Sequence, residues 1–376
     1  MAQLPRRIDV PSFLQSKLAQ GVDQEWWSEF ENLYTKKLWH QLTIKLLSFV
    51  SRPEGTADLR ELYHNFIADF EMKMNPFYLV EIISFVVKGN PDVDGTIAFL
   101  TTVKEKVKGN QDASILTSIL ICRLKLQRSD MPGVKAILDE ISPLVDAETG
   151  VTPVHGRYFQ LSSDFHQFVG NHNEYYRDAL RYLGCITLSD LDHDQRKSIA
   201  FALSLAALLG DSVYNFGELL QHPISESVKT EFPWLYDLLI AFNTGDLKRY
   251  EQLRPQWTTQ PDLQRMEIHL RKKISLLSLM EITFRSQSGV LSFDEISEAA
   301  ALPLEEVELL VMKALSLNLV KGTIDEVDQK VHLTWVQPRV LDRAQIGMLR
   351  TKIDTWCKEV RKVEHLIEDK AQDFAC

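Results

Sequence analysis

Residues 290–336 read VLSFDEISEAAALPLEEVELLVMKALSLNLVKGTIDEVDQKVHLTWV. Ser292 is followed three residues later by Glu295, the spacing at which a hydroxyl and a carboxylate cap a helix start reciprocally. A short apolar helix is expected from there to Ala301. Pro303 suits a first helical position, where a missing N–H goes unnoticed. The helix it opens places Val307, Leu310, Val311, Ala314 and Leu315 on one face. After Asn318 the apolar period drops from near four to two. Leu319, Val320 and Ile324 mark one strand, and Val331, Leu333 and Trp335 are expected to alternate inward along the next. The polar run Asp325-Glu326-Val327-Asp328-Gln329 joins the two.

Helix, helix, strand, acidic loop, strand is the order of a winged-helix module. Versions that read DNA need a basic surface to displace counterions from phosphates. Here the second helix opens with Glu305, Glu306 and Glu308, and the wing carries Asp325, Glu326 and Asp328 against only Lys313, Lys321 and Lys330. Carboxylates at both docking elements argue against nucleic acid as a partner. Leu309 and Met312 lie off the main apolar stripe. Either they pack against the wing and the preceding helix, or they face a protein partner together with Lys321, Ile324 and Asp325.

The chain has 376 residues, 45% hydrophobic and 25% charged, which is ordinary for a globular protein with a sizeable core. A net charge of −10 disfavours nucleic acid and anionic membranes. Cys122, Cys185, Cys357 and Cys376 are scattered with no CxxC pair, as expected of free thiols in a reducing compartment. The opening Met1-Ala2-Gln3-Leu4-Pro5-Arg6-Arg7 is not followed by an apolar core, so no signal peptide is expected. No apolar run is long enough to span a membrane. A soluble intracellular protein is expected.

From Glu25 to about Leu253 helix follows helix. Trp27, Phe30 and Tyr34 share a face, and Leu38, Leu42, Leu46 and Phe49 form the next stripe, ending at Arg52-Pro53-Glu54-Gly55. Leu59–Met72 and Phe77–Val87 pair around Asn75-Pro76, and Gly89-Asn90-Pro91 closes that pair. Polar turns then recur at Arg128-Ser129-Asp130, Gly170-Asn171-His172-Asn173, Gly210-Asp211 and Thr244-Gly245-Asp246. A spacing of about 35–40 residues is that of stacked helical hairpins in an α-solenoid. Tyr158, Phe159, Phe165, Phe168, Tyr175, Tyr176 and Tyr182 are read as packing between hairpins in preference to a peptide groove. Beyond an interruption at Pro255–Pro261, a long helix is expected to carry Leu263, Met266, Leu270, Ile274, Leu277 and Phe284 on one side and to lead into the winged helix.

Past Pro338, Ile346, Leu349, Ile353, Trp356, Val360, Val363 and Ile367 step by threes and fours without a break. Such a heptad seam implies a helix that supercoils with others. Docking back onto its own domain is one use. Entry into a bundle with helices of other subunits suits so strict a seam better.

Signatures of catalysis are missing. The sequence holds no GxxxxGK[ST], GxGxxG, HExxH or GxSxG. His155, His166 and His172 lie close together without a cysteine or carboxylate at ligand spacing. Cys185 has only Arg181 to lower its pKa. No metal, cofactor or small-molecule substrate is expected, and the chain is read as no enzyme. Asp325-Glu326-Val327-Asp328 matches a caspase recognition tetrapeptide, but an acidic turn explains it as well.

A helical-repeat array ending in a winged helix resembles the PCI domains that scaffold the proteasome lid, the COP9 signalosome and a translation initiation factor complex. The likeness to PCI subunits of the lid is carried by Tyr34–Leu42 (YTKKLWHQL), Asn215–Leu220 (NFGELL), Leu309–Leu315, Leu319–Asp328 and Thr334–Val340. It covers about Trp26 to the C-terminus. The resemblance implies a mainly α fold with three parts. The expected division is residues 1–170 as a helical-repeat solenoid, residues 171–338 as a PCI domain (helical 171–285, winged helix 286–338) and residues 339–376 as a C-terminal bundle helix, with the resemblance itself contributing nothing over Met1 to about Gly21. It implies a non-catalytic scaffold of the regulatory particle, cytoplasmic and nuclear, serving ubiquitin-dependent degradation. It also implies a neighbouring PCI subunit, an MPN deubiquitinase pair and a ubiquitin receptor as partners.

Overall fold

The computed structural model describes residues 9–19, 23–52, 59–88, 92–147, 150–286, 289–341 and 343–374. The turns expected at Pro53–Gly55 and Gly89–Pro91, the opening Met1–Arg7 and Cys376 lie outside the described residues. The chain divides into two compact units, Met1–Thr187 and Leu188–Cys376.

The first unit is built of helices. Asx side chains restart them, the carboxylate or amide taking an orphan N–H of the first turn. Asn75 accepts from Phe77 N–H (2.9 Å), Asp92 from Gly95 N–H (3.0 Å), Asn110 from Ala113 N–H (2.9 Å) and Asp130 from Gly133 N–H (3.1 Å). Between hairpins, Ser129 (φ 61°) and Gly170 (φ 80°) supply the left-handed residue that ends a helix. The helix Val10–Ala19 precedes everything that the sequence pattern made legible, and its Phe13 and Leu14 are fully buried. Phe13 meets Trp27 edge-on at 6.0 Å, and Trp27, Phe30 and Phe49 continue the same T-shaped cluster. Leu38, expected in the stripe with Leu42 and Leu46, is exposed because it precedes the helix Trp39–Val50 as its cap residue. The stretch Leu59–Met72 is not one α-helix. It passes through a π-turn at Tyr63–Ile67 and ends in a 3₁₀ turn at Glu71–Lys73.

Six of the seven aromatics between residues 158 and 182 are buried where the helices Pro153–Val169 and His172–Cys185 pack together. Phe168 differs: it is 68% exposed, one turn from the Gly170 cap where the helix leaves the core.

In the second unit, helices that include His193–Leu209 and Pro233–Thr244 lead to the long Glu267–Arg285. Leu270, Ile274 and Leu277 are fully buried along it as expected, but Leu263 belongs to the preceding short helix Pro261–Arg265 and Met266 is an exposed cap residue. Gly245 (φ 65°) lets a turn close onto this helix, since a Cβ there would lie 2.6 Å from Ser278 Cα.

The winged helix follows. Strand β1 (Val290–Ser292) precedes the helix Phe293–Ala300, which Ser292 and Glu295 cap reciprocally. Ala301 (φ 47°) ends that helix, Pro303 caps the next, and Leu304–Ser316 buries Val307, Leu310, Val311 and Ala314. Pro303 thus stands one position before the helix it was expected to begin. Strands β2 (Val320–Asp325) and β3 (Lys330–Val336) form an antiparallel sheet in the order β1-β3-β2. Val331 and Leu333 point inward as expected, but Trp335 is 38% exposed. A bulge between Lys321 and Gly322 breaks the register there, and Trp335 pairs with Lys321. Gly322 permits the bulge: a Cβ would stand 2.0 Å from the His332 carbonyl oxygen.

The chain ends in the helix Arg343–Phe374, 32 residues long.

Candidate interaction surfaces

The winged-helix surface is acidic and greasy. Leu309 (64% exposed) and Met312 (50%) stand out from the helix Leu304–Ser316. On β2, Lys321 is exposed and holds its ammonium 4.9 Å over the Trp335 ring. Ile324 and Asp325 are half-buried, and Asp325 Oδ1 accepts from Asp328 N–H (3.1 Å), so this carboxylate shapes the wing turn as well as facing outward. Val327 at the tip is 94% exposed.

The C-terminal helix carries the second surface. Ile346, Leu349, Ile353, Trp356, Val360, Val363 and Ile367 are all exposed, forming a continuous apolar stripe along one side. Its tether to the body is polar: Lys352 Nζ donates to the carbonyls of Phe284 (3.0 Å) and Ser286 (3.1 Å).

The strap that feeds this helix is held firmly. Arg339 Nη2 donates to Glu281 Oε2 at 2.6 Å, and both side chains are under a tenth exposed. Arg339 Nη1 also donates to the Asn243 carbonyl (3.1 Å), while the exposed Arg285 takes the other Glu281 oxygen (2.9 Å). Asn215 Oδ1 accepts from Val340 N–H (3.3 Å) and Gly217 N–H (3.2 Å), and Gln221 Nε2 donates to the Leu341 carbonyl (3.3 Å). Two motifs far apart in sequence, Asn215–Leu220 and Thr334–Val340, therefore meet at the root of the C-terminal helix.

A third buried device is Lys273. It is 2% exposed, and its ammonium donates to the carbonyls of Ala207 (2.8 Å), Leu208 (3.1 Å) and Gly210 (2.6 Å). These are orphan acceptors at the end of the helix His193–Leu209, where a cation is favoured. Burial nevertheless pushes the Lys273 ammonium down to about 7. Sequence reading missed Lys273, Glu281 and Arg339, because the Lys273 acceptors and the Arg339–Glu281 pair span 58 or more residues.

The residues that invite a catalytic reading do structural work. His155 Nδ1 accepts from Thr152 N–H (3.1 Å) and closes a helix start. The buried Asp178 accepts from Ser162 Oγ (2.6 Å), leaving His166 Nε2 at 3.9 Å, beyond hydrogen-bond reach, and burial holds His166 below the usual histidine range. Among the described residues no group of three or more His, Cys, Asp or Glu is placed to hold a metal ion. Burial raises the Cys185 thiol. Among the described residues no helix is long and apolar enough to cross a membrane.

Comparison with known proteins gives two family matches: PSD13 N-terminal repeats over residues 26–239 and PCI domain over residues 247–335. The chain is 37% identical over 365 residues to 26S proteasome non-ATPase regulatory subunit 13 homolog B of Arabidopsis thaliana, covering 93% of this chain and 95% of the relative. It is 36% identical over 360 residues to 26S proteasome non-ATPase regulatory subunit 13 of Dictyostelium discoideum, covering 92% and 93%. It is 32% identical over 364 residues to 26S proteasome regulatory subunit RPN9 of Saccharomyces cerevisiae, covering 92% and 93%.

Proposed function

Because the chain belongs to the family of 26S proteasome non-ATPase regulatory subunit 13, we propose that it acts as a non-catalytic scaffold in the lid of the proteasome regulatory particle, supporting ubiquitin-dependent protein degradation. The observation that carries this is the C-terminal helix: seven seam residues, all exposed, along a helix of 32 residues. An apolar stripe of that length is poorly tolerated by a lone soluble chain and suits a bundle with helices of other subunits. The winged helix supplies a second contact through Leu309, Met312, Lys321, Ile324 and Asp325, directed at a neighbouring PCI subunit. An MPN deubiquitinase pair and a ubiquitin receptor complete the neighbourhood, in the cytoplasm and nucleus. No nucleic acid, membrane, cofactor or small-molecule substrate enters this reading.

Removing residues 343–376 tests it. The truncated chain should keep its helical circular dichroism and unfold cooperatively, yet fail to co-purify with the other lid subunits. Normal incorporation of a folded, truncated chain sinks the proposal. Recovery of the intact chain with a different multisubunit complex would keep the scaffold role and overturn the assignment to the lid.

A further inference from the structure

The turn between the helices Gln24–Thr35 and Trp39–Val50 is closed by two backbone bonds, Lys37 N–H to the Tyr34 carbonyl and Leu38 N–H to the Leu33 carbonyl, each 3.0 Å. Lys37 occupies the left-handed position of this cap at φ 56°, where glycine is the usual residue and a side chain is strained. Strain of this kind persists where the surroundings or a function require the side chain.

The surroundings are distinctive. Lys36 and Lys37 are exposed, and neither makes an ion pair among the described residues. A third lysine, Lys73, arrives from the far end of the π-turn and 3₁₀ turn, and its ammonium lies 4.8 Å over the Trp39 ring. Trp39 is half-buried and stacks on Phe70 at 5.4 Å. Leu38 (39% exposed) and Met72 (78%) flank the lysines.

Two carboxylates on the segment that carries Lys73 are hydrogen-bonded. Asp69 accepts from the Tyr34 hydroxyl (2.7 Å), and Glu71 takes both the Tyr63 hydroxyl (2.8 Å) and Lys106 Nζ (2.5 Å). A chain of net charge −10 here presents three lysines with apolar side chains set among them, and Glu71 beside them is neutralised by Lys106.

We propose that Lys36, Lys37 and Lys73, around Leu38, Trp39 and Met72, form a docking site for an acidic polypeptide segment bearing an apolar side chain, supplied by another protein. The lysines match carboxylates and steer their approach. Leucine and methionine offer an adaptable apolar seat for one buried anchor. Nucleic acid fits less well, since Trp39 already stacks on Phe70 and carries an ammonium over its ring, leaving no free platform for a base.

The test is fluorescence anisotropy on the full chain, with three labelled probes: an Asp/Glu-rich peptide carrying leucine and phenylalanine, the same peptide with both replaced by serine, and oligouridine. The first peptide should bind most tightly, and its binding should fall with salt. Lys37→Gly should weaken it about threefold, as for loss of one exposed charge contact, while the unfolding temperature holds or rises because glycine relaxes the turn. The pair Lys36→Glu and Lys73→Glu should weaken it on the order of tenfold or more. A merely structural role for Lys37 predicts unchanged binding in Lys37→Gly, and that result overturns the site. Equal binding of the serine peptide, or tighter binding of oligouridine, overturns it as well. The site uses no residue of the C-terminal helix, so its failure leaves the scaffold reading standing.

Discussion

Replacing Arg339 by methionine removes the guanidinium that joins the strap after the wing to the long helix Glu267–Arg285. The variant Arg339→Met leaves the Glu281 carboxylate, only 6% exposed, without its buried partner, and also leaves the Asn243 carbonyl one donor short. Breaking a buried pair from one side costs about 3–5 kcal/mol. Arg285 stays within 2.9 Å of the other Glu281 oxygen and keeps part of the compensation, so the lower end, about 3 kcal/mol, is expected. The control Arg285→Ala breaks a pair whose arginine is 64% exposed and should cost about 1 kcal/mol or less. A third variant, Arg339→Met with Glu281→Met, removes both buried charges and should be less damaged than the sum of its single changes by about 2–3 kcal/mol. Urea denaturation followed by circular dichroism measures all of these on the full chain. If Arg339→Met costs no more than Arg285→Ala, or if the double variant is simply additive, the buried clamp does not hold the strap.

Lys273 gives a pH signature. Its folded pKa is pushed down to about 7 from the ordinary 10.5 by burial, so between those values the unfolded chain binds the extra proton and its stability contribution rises with pH; Lys273→Met should flatten that rise in unfolding curves taken across the window. Gly217→Ala should cost about 1–3 kcal/mol, because its Cβ would meet Val340 Cβ at 2.6 Å, and hydrogen exchange at residues 339–341 should speed up. Burial pushes the Cys122 thiol up to about 12 while Cys357 is exposed, so a maleimide should label Cys357 in the native chain and Cys122 only after denaturation, as peptide mapping would show.

What could be read in the sequence was what repeats or caps locally. The capping box at Ser292 and Glu295, the shift of period after Asn318 and the unbroken heptad from Ile346 each depend on neighbours within a few residues, and the structure has helix, strand and helix at those places. Strand β1 is only three residues long, too short to display alternation, and it exists because β3 pairs with it. Val10–Ala19 is only ten residues long and so gives a weak periodic signal, yet Phe13 and Leu14 are buried and Phe13 docks against Trp27 of the next helix. Trp335 obeys its strand's alternation in sequence, but a bulge in the partner strand decides its exposure. The candidate surfaces were legible as apolar residues off a stripe or along a seam. The clamps that orient them were not, since Lys273 and Arg339 look like ordinary surface charges until residues far away in the chain fold against them.

The Lys352 tether of the C-terminal helix has a mechanical meaning. From Lys352 to Phe374 the helix runs 22 residues, about 33 Å at 1.5 Å per residue. It is a lever arm with its fulcrum near the body. A tilt of about ten degrees at the fulcrum carries the tip about 6 Å, roughly one helical turn. Aiming accuracy is therefore decided at the root, by Arg339, Glu281, Asn215 and Gly217. A substitution there, far from the seam, would swing the apolar stripe aside while leaving every seam residue intact.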